Sequence, residues 1–119
     1  MTVDVQISFR HIDSSETLEA LIRERAAELE QFSDRITACR VVVEAASKHH
    51  RHGNPYHIHV DLLVPGTTIV VDRDSGNARA HEDPYIAVRD AFEAARRRLR
   101  EHMRRLDDRH RPQPAFPDA

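Results

Sequence analysis

The chain is 119 residues long, with 39% apolar and 32% charged residues, which fits one soluble domain with one core rather than a disordered or fibrous chain. Aromatics make up only 5% and Trp is absent, so the core has to come mostly from Val, Ile, Leu and Ala. The formal net charge is −2, the single cysteine, Cys39, rules out an internal disulfide, and no apolar run approaches the ~20 residues of a membrane span.

The opening MTVDVQISFRH has no basic stretch leading into an apolar one. No secretory signal is read there, and a cytoplasmic location is expected. Within it, residues 3–9 alternate strictly. Val3, Val5, Ile7 and Phe9 fall on one side and Asp4, Gln6 and Ser8 on the other, the period of a strand with one buried face. Asp13-Ser14-Ser15-Glu16 offers a capping box, a side-chain acceptor three residues before a Glu. From there Leu18, Leu21, Ile22, Leu29 and Phe32 recur at helical spacing, predicting a helix over about 15–32.

Residues 36–46 are rich in β-branched side chains and read as a second strand. The polar run 48–55 ends in Gly53-Asn54-Pro55, a turn signal. Residues 56–64 alternate again, with Ile58, Val60, Leu62 and Val64 on one face and His57, His59 and Asp61 on the other. Pro65-Gly66 turns the chain into a fourth strand, 67–72, and a polar loop follows over 73–82. Asp83-Pro84 pairs an N-cap with proline at the first helical position, and a long helix runs to about 106. Three prolines mark the rest as a flexible tail. The predicted domain is 1–107 and the tail 108–119.

The order is β-α-β-β-β-α. The first unit is a right-handed crossover, so its two strands should be parallel; the later strands follow as antiparallel hairpins. The fold class is α+β, a two-layer domain with a four-stranded mixed sheet and both helices on one face. The other face carries Asp4, Gln6, His57, His59 and Asp61, as a largely antiparallel sheet allows.

Charge is segregated along this frame. Residues 13–34 hold seven acids against Arg23 and Arg25, while residues 84–111 hold nine arginines against five acids. At ~100° per residue, Tyr85, Val88, Phe92, Ala95, Leu99, Met103 and Leu106 form the core stripe of the second helix. Arg89, Arg96, Arg97, Arg100 and Arg104 fall together on one flank, with Arg98 and Arg105 on the opposite side. Such a ridge suits the phosphates of a folded RNA, which guanidiniums bind bidentately. A solvated helix face with i,i+4 ion pairs is the plainer alternative.

Five of the nine histidines lie within 49–59. His57 and His59 share a strand face, and with His50 or His52 a three-nitrogen Zn²⁺ or Ni²⁺ site is conceivable, though a weak candidate. The plainer alternative is a polar sheet face and loop, whose Lys48 and Arg51, with the imidazoles, suit contact with RNA. No nucleophile, base and orienter occur together, and Cys39 falls in a strand, so neither an enzyme nor a cofactor is expected.

Several segments resemble the ribosome hibernation-promoting factors and ribosome-associated translation inhibitors, over about residues 3–106. The first strand ends in Arg10-His11-Ile12, the first helix in Leu29-Glu30-Gln31-Phe32 followed by Asp34-Arg35-Ile36, and the second helix opens Asp83-Pro84-Tyr85-Ile86-Ala87-Val88. Arg97, Leu99, Arg100 and His102 also fit the family's last helix. The resemblance, to the short form, implies binding to rRNA of the small ribosomal subunit in the channel of messenger and transfer RNA, and arrest of translation under stress or in stationary phase. It implies phosphate contacts from basic residues of the helices, with Arg97 and Arg100 at family basic positions. Arg89, Arg96 and Arg104 are added from the helical wheel, Arg23 and Arg25 from the first helix, and Lys48 and Arg51 from the loop. The chain departs from the family in its net-acidic first helix and in Ala94, where Lys is frequent. A module of the same fold for another RNA and a His-rich metal-binding stress protein remain as alternatives. A monomer is expected.

Overall fold

The computed structural model describes residues 3–45, 56–73 and 83–110. The elements are β1 (Asp4–Arg10), α1 (Glu16–Phe32), β2 (Ala38–Ala45), β3 (Tyr56–Val64), β4 (Thr67–Arg73) and α2 (Pro84–His110). The sheet order is β1-β2-β3-β4. β1 pairs parallel with β2, while β2–β3 and β3–β4 are antiparallel. The expected α+β architecture is therefore observed.

Period-two alternation decides the core. Cys39, Val41 and Val43 of β2, Ile58, Val60, Leu62 and Val64 of β3, and Ile69 and Val71 of β4 are buried on one face. Leu18, Ile22, Ala26 and Leu29 of α1 and Val88, Phe92, Ala95 and Leu99 of α2 close over them. Each fully buried Val, Leu or Ile contributes about 1.5–3 kcal/mol. α2 lies over β3 and β4, and α1 sits beside α2 and against β1. Ala87, Ala91 and Ala94 widen the buried stripe of α2 beyond the predicted one. Ala94 is thus a core residue, and a lysine there would have to bury its stem and thread its charge outward.

Local chemistry sets the ends of the helices, with two corrections to the sequence reading. The N-cap of α1 is Ser15, whose Oγ accepts from the Leu18 N–H at 3.2 Å. Asp13 is not the cap, because the helix starts at Glu16 and the orphan donors of its first turn lie opposite Ser15. Ser15→Ala should lower stability by about 1 kcal/mol, readable as a shift of the urea midpoint at unchanged slope. Ser33 closes the other end, its N–H donating to the Leu29 carbonyl at 2.9 Å. Asp83 caps α2 as expected, accepting from the Tyr85 N–H at 2.9 Å. α2 continues to His110, past the predicted end near 106.

The second correction concerns Tyr85. It leaves the core stripe and is 42% exposed. Its hydroxyl donates to Thr17 Oγ1 at 2.8 Å, tying the start of α2 to the start of α1. A tyrosine at a helix edge keeps its polar tip wet this way. Between the strands, Pro65-Gly66 makes the β3–β4 turn with Gly66 at φ 88°, a value that glycine adopts without penalty.

Candidate nucleic-acid interface

The seven arginines of α2 between Arg89 and Arg105 are all exposed, but they divide by direction. Arg89, Arg96 and Arg100 follow one another at seven and four residues, spacings that return to one side of a helix. That side faces α1. Arg89 and Arg96 border, with α1, a cleft of about 320 Å³ whose walls include Arg25, Glu28, Gln31, Phe32 and Glu93. The Arg96 and Arg100 guanidiniums lie over the Phe32 ring, 5.6 and 5.9 Å from its centroid. Such contacts contribute about 0.5–1 kcal/mol at exposed sites, and they hold two long side chains at a fixed spacing.

None of Arg89, Arg96 and Arg100 forms an ion pair among the described residues. The solvated-face alternative relied on intrahelical pairing, and α2 uses that elsewhere: Glu101 holds Arg104 at 3.4 Å and Arg105 at 3.2 Å. Among the described residues, the three arginines facing α1 keep their donors unpaired.

The remaining predicted residues scatter. Arg97 does not join the α1 side. It borders a second, wider groove of about 560 Å³ with Arg98, His102 and Arg105, beside β4. The cause is the helical step, which carries Arg97 about 100° past Arg96. Arg104 is not among the residues lining either groove and is held by Glu101. Arg25 lines the cleft and is paired with Glu28 at 3.1 Å. Arg23, two residues earlier and so about 200° around α1, pairs with Glu19 at 3.7 Å and is not among the cleft's residues. Lys48 and Arg51 lie outside the described residues, as do His50 and His52.

His57 and His59 share the open sheet face as predicted, and both have carboxylate partners. His59 Nε2 is 2.8 Å from Asp61 Oδ1, and its Nδ1 is 3.6 Å from Asp72 Oδ1. His57 Nε2 also contacts Asp72 Oδ1. Asp72 stands opposite His59 in the β3–β4 register. Among the described residues no group of His, Cys, Asp and Glu is arranged to hold a metal ion. Cys39 is buried, and desolvation, with a smaller contribution from the Asp61 charge, pushes its thiol up to about 12.

The sequence reading missed Phe32 and Gln31 as members of the cleft. Phe32 carries the α1 period and reads as core, and only the packing of α1 beside α2 brings it under the arginines. Glu93 falls at the helical spacing of the same flank, the one acid among its arginines.

The profile of the family described as Sigma 54 modulation protein / S30EA ribosomal protein matches residues 5–107. No curated protein matches the chain. Among solved structures, a ribosomal subunit interface protein from Coxiella burnetii aligns at a TM-score of 0.68 and 16% identity, covering 85% of this chain and 98% of that one. The N-terminal domain of Protein Y from Thermus thermophilus aligns at a TM-score of 0.65 and 15% identity, covering 86% of this chain and 99% of the other. At these identities the likeness is one of fold.

Proposed function

The chain belongs to the Sigma 54 modulation protein / S30EA ribosomal protein family, and from that membership we propose that it is a ribosome hibernation factor. It binds rRNA of the small ribosomal subunit, in the channel that messenger and transfer RNA occupy, and so holds translation off. The observation that carries this reading is the row Arg89, Arg96 and Arg100, exposed and without ion pairs among the described residues. Three free guanidiniums on one rigid helix offer phosphate oxygens paired, charge-assisted donors. Arg97 and Arg104 extend the contact outward, Arg25 meets it from α1, and Arg23, Lys48 and Arg51 are peripheral contributors. Such contacts position the protein on RNA without reading its sequence. The protein acts by occupying the channel and not by chemistry. One of the solved structures that share the fold is named for the subunit interface of the ribosome, which supports the same reading.

Co-sedimentation with purified small subunits over a range of salt tests it. Binding should be strong at low salt and fall linearly in log–log form, with a slope of about −0.7 to −0.9 for each phosphate contacted. Absence of binding at low salt would overturn the proposal.

The functional domain is 1–107, and the tail 108–119 is dispensable for folding. Among the described residues, Met103 is the last apolar side chain of α2 that packs against the core cluster. The chain is a monomer: Arg98 donates from Nη1 to the carbonyl of Val70 on the edge strand β4, occupying an acceptor that another strand would need. A chain ending at Asp107 should unfold within about 0.5 kcal/mol of the full-length protein and scatter light as a monomer.

A further inference from the structure

The cleft between α1 and α2 holds more than a phosphate surface uses. Glu93 stands in its wall, one turn from both Arg89 and Arg97, and forms no ion pair among the described residues. A free carboxylate weakens phosphate binding. It strengthens binding of a group that presents donors. Gln31 adds an amide with both a donor and an acceptor. The volume of about 320 Å³ is at the small end of ligand pockets, ~300–1,000 Å³, which suits one nucleotide and not a duplex. Arg96 and Arg100 over Phe32 form a cationic shelf, and unpaired bases stack on guanidinium planes as they do on aromatic rings.

We infer that this cleft receives a single unpaired guanine nucleotide of RNA, with Glu93 reading the base. The inference rests on the proposed RNA-binding role of the arginine surface and names what its centre recognises. Guanine alone among the four bases carries two adjacent donors, N1–H and the N2 amino group, on its pairing edge. These match the two oxygens of one carboxylate. Its O6 and N7 accept from a guanidinium. Cytosine and adenine offer one amino group each, and uracil flanks its single N–H with two carbonyls that a carboxylate repels. Glu28 is already held by Arg25, so Glu93 is the acceptor. Arg89 and Arg96, on either side of it along α2, take the flanking phosphates.

The test uses two fluorescently labelled six-nucleotide single-stranded RNAs, one all uridine and one with a single central guanosine. Binding is followed by anisotropy for the full-length protein and for Glu93→Ala. The wild-type protein should bind the guanosine-containing strand roughly tenfold more tightly, the scale of one good bidentate base contact. Glu93→Ala should bring the two strands to equal affinity, with all-uridine binding unchanged or raised because a negative charge has left the cleft. Equal wild-type affinities, or a guanosine preference that survives Glu93→Ala, would overturn the inference. If neither strand binds, the inference falls, and co-sedimentation with small subunits decides whether the broader RNA-binding proposal falls with it. Glu93 is exposed on α2, so the variant should keep the wild-type melting curve, and a matching curve licenses the comparison.

Discussion

Arg96→Glu combined with Arg100→Glu should abolish most binding to the small subunit and leave a folded protein. Both side chains are exposed on the α1 side of α2, outside the buried stripe. Reversal removes two guanidiniums and puts two carboxylates against phosphate. Charge-assisted hydrogen bonds are worth about 1.5–3 kcal/mol each, so the affinity should fall on the order of a hundredfold or more. The log–log salt slope should become shallower by roughly 0.7–0.9 for each phosphate no longer neutralised. The effect on stability is limited to the two cation–π pairs with Phe32, about 1–2 kcal/mol together. A folded double variant that still co-sediments with wild-type affinity and slope would reduce this flank to a solvated helix face. The groove bordered by Arg97, Arg98 and Arg105 would then be the next surface to reverse.

Leu99→Ala should do the opposite, removing fold while leaving the binding surface of the remaining native molecules intact. Leu99 is 0% exposed and belongs to the cluster that α2 closes over β3 and β4. Truncating a buried leucine to alanine costs about 2–5 kcal/mol through forfeited transfer energy and the cavity left behind. Against a typical total of ~5–15 kcal/mol, that is a large share. The urea midpoint should drop steeply, while the affinity of the folded fraction for RNA stays near wild type. On these expectations the adjacent positions Leu99 and Arg100 would divide stability and binding between them. A small midpoint shift would mean that the sheet and helices relax into the space.

Much of the fold was legible because alternation is a local property. The predicted strand 56–64 coincides with Tyr56–Val64, and the strand read over 67–72 differs by one residue from Thr67–Arg73. The parallel β1–β2 pair followed from the length and hand of a helical crossover. What the sequence could not carry was anything set by the placement of two elements side by side. Phe32 had the right period for a core residue, and its place under Arg96 and Arg100 depends on the distance between α1 and α2. His59 and Asp61 share a strand face by alternation alone, whereas Asp72 reaches His59 only through the register of β3 with β4. The wheel gave the arginines of α2 correctly as exposed. It could not say where α1 would stand, which is what separates Arg96 and Arg100 from Arg97. Arg23 and Arg25 are neighbours in the chain, and the helical step alone turns them to different sides of α1.

The lone cysteine supplies a reporter that no labelling chemistry has to install. Cys39 sits in β2, between β1 and β3, and its thiol, held near 12, carries almost no thiolate at neutral pH. The thiolate is the reactive species. A disulfide reagent therefore finds it only when β2 leaves the sheet, and the rate of modification measures how often the native molecule opens. A ligand that binds only the closed form shrinks the open population by the factor 1 + [L]/Kd. Where opening and closing are fast relative to modification, the slowing of thiol trapping on addition of RNA gives the affinity from the unmodified chain, without a fluorophore or a mutation.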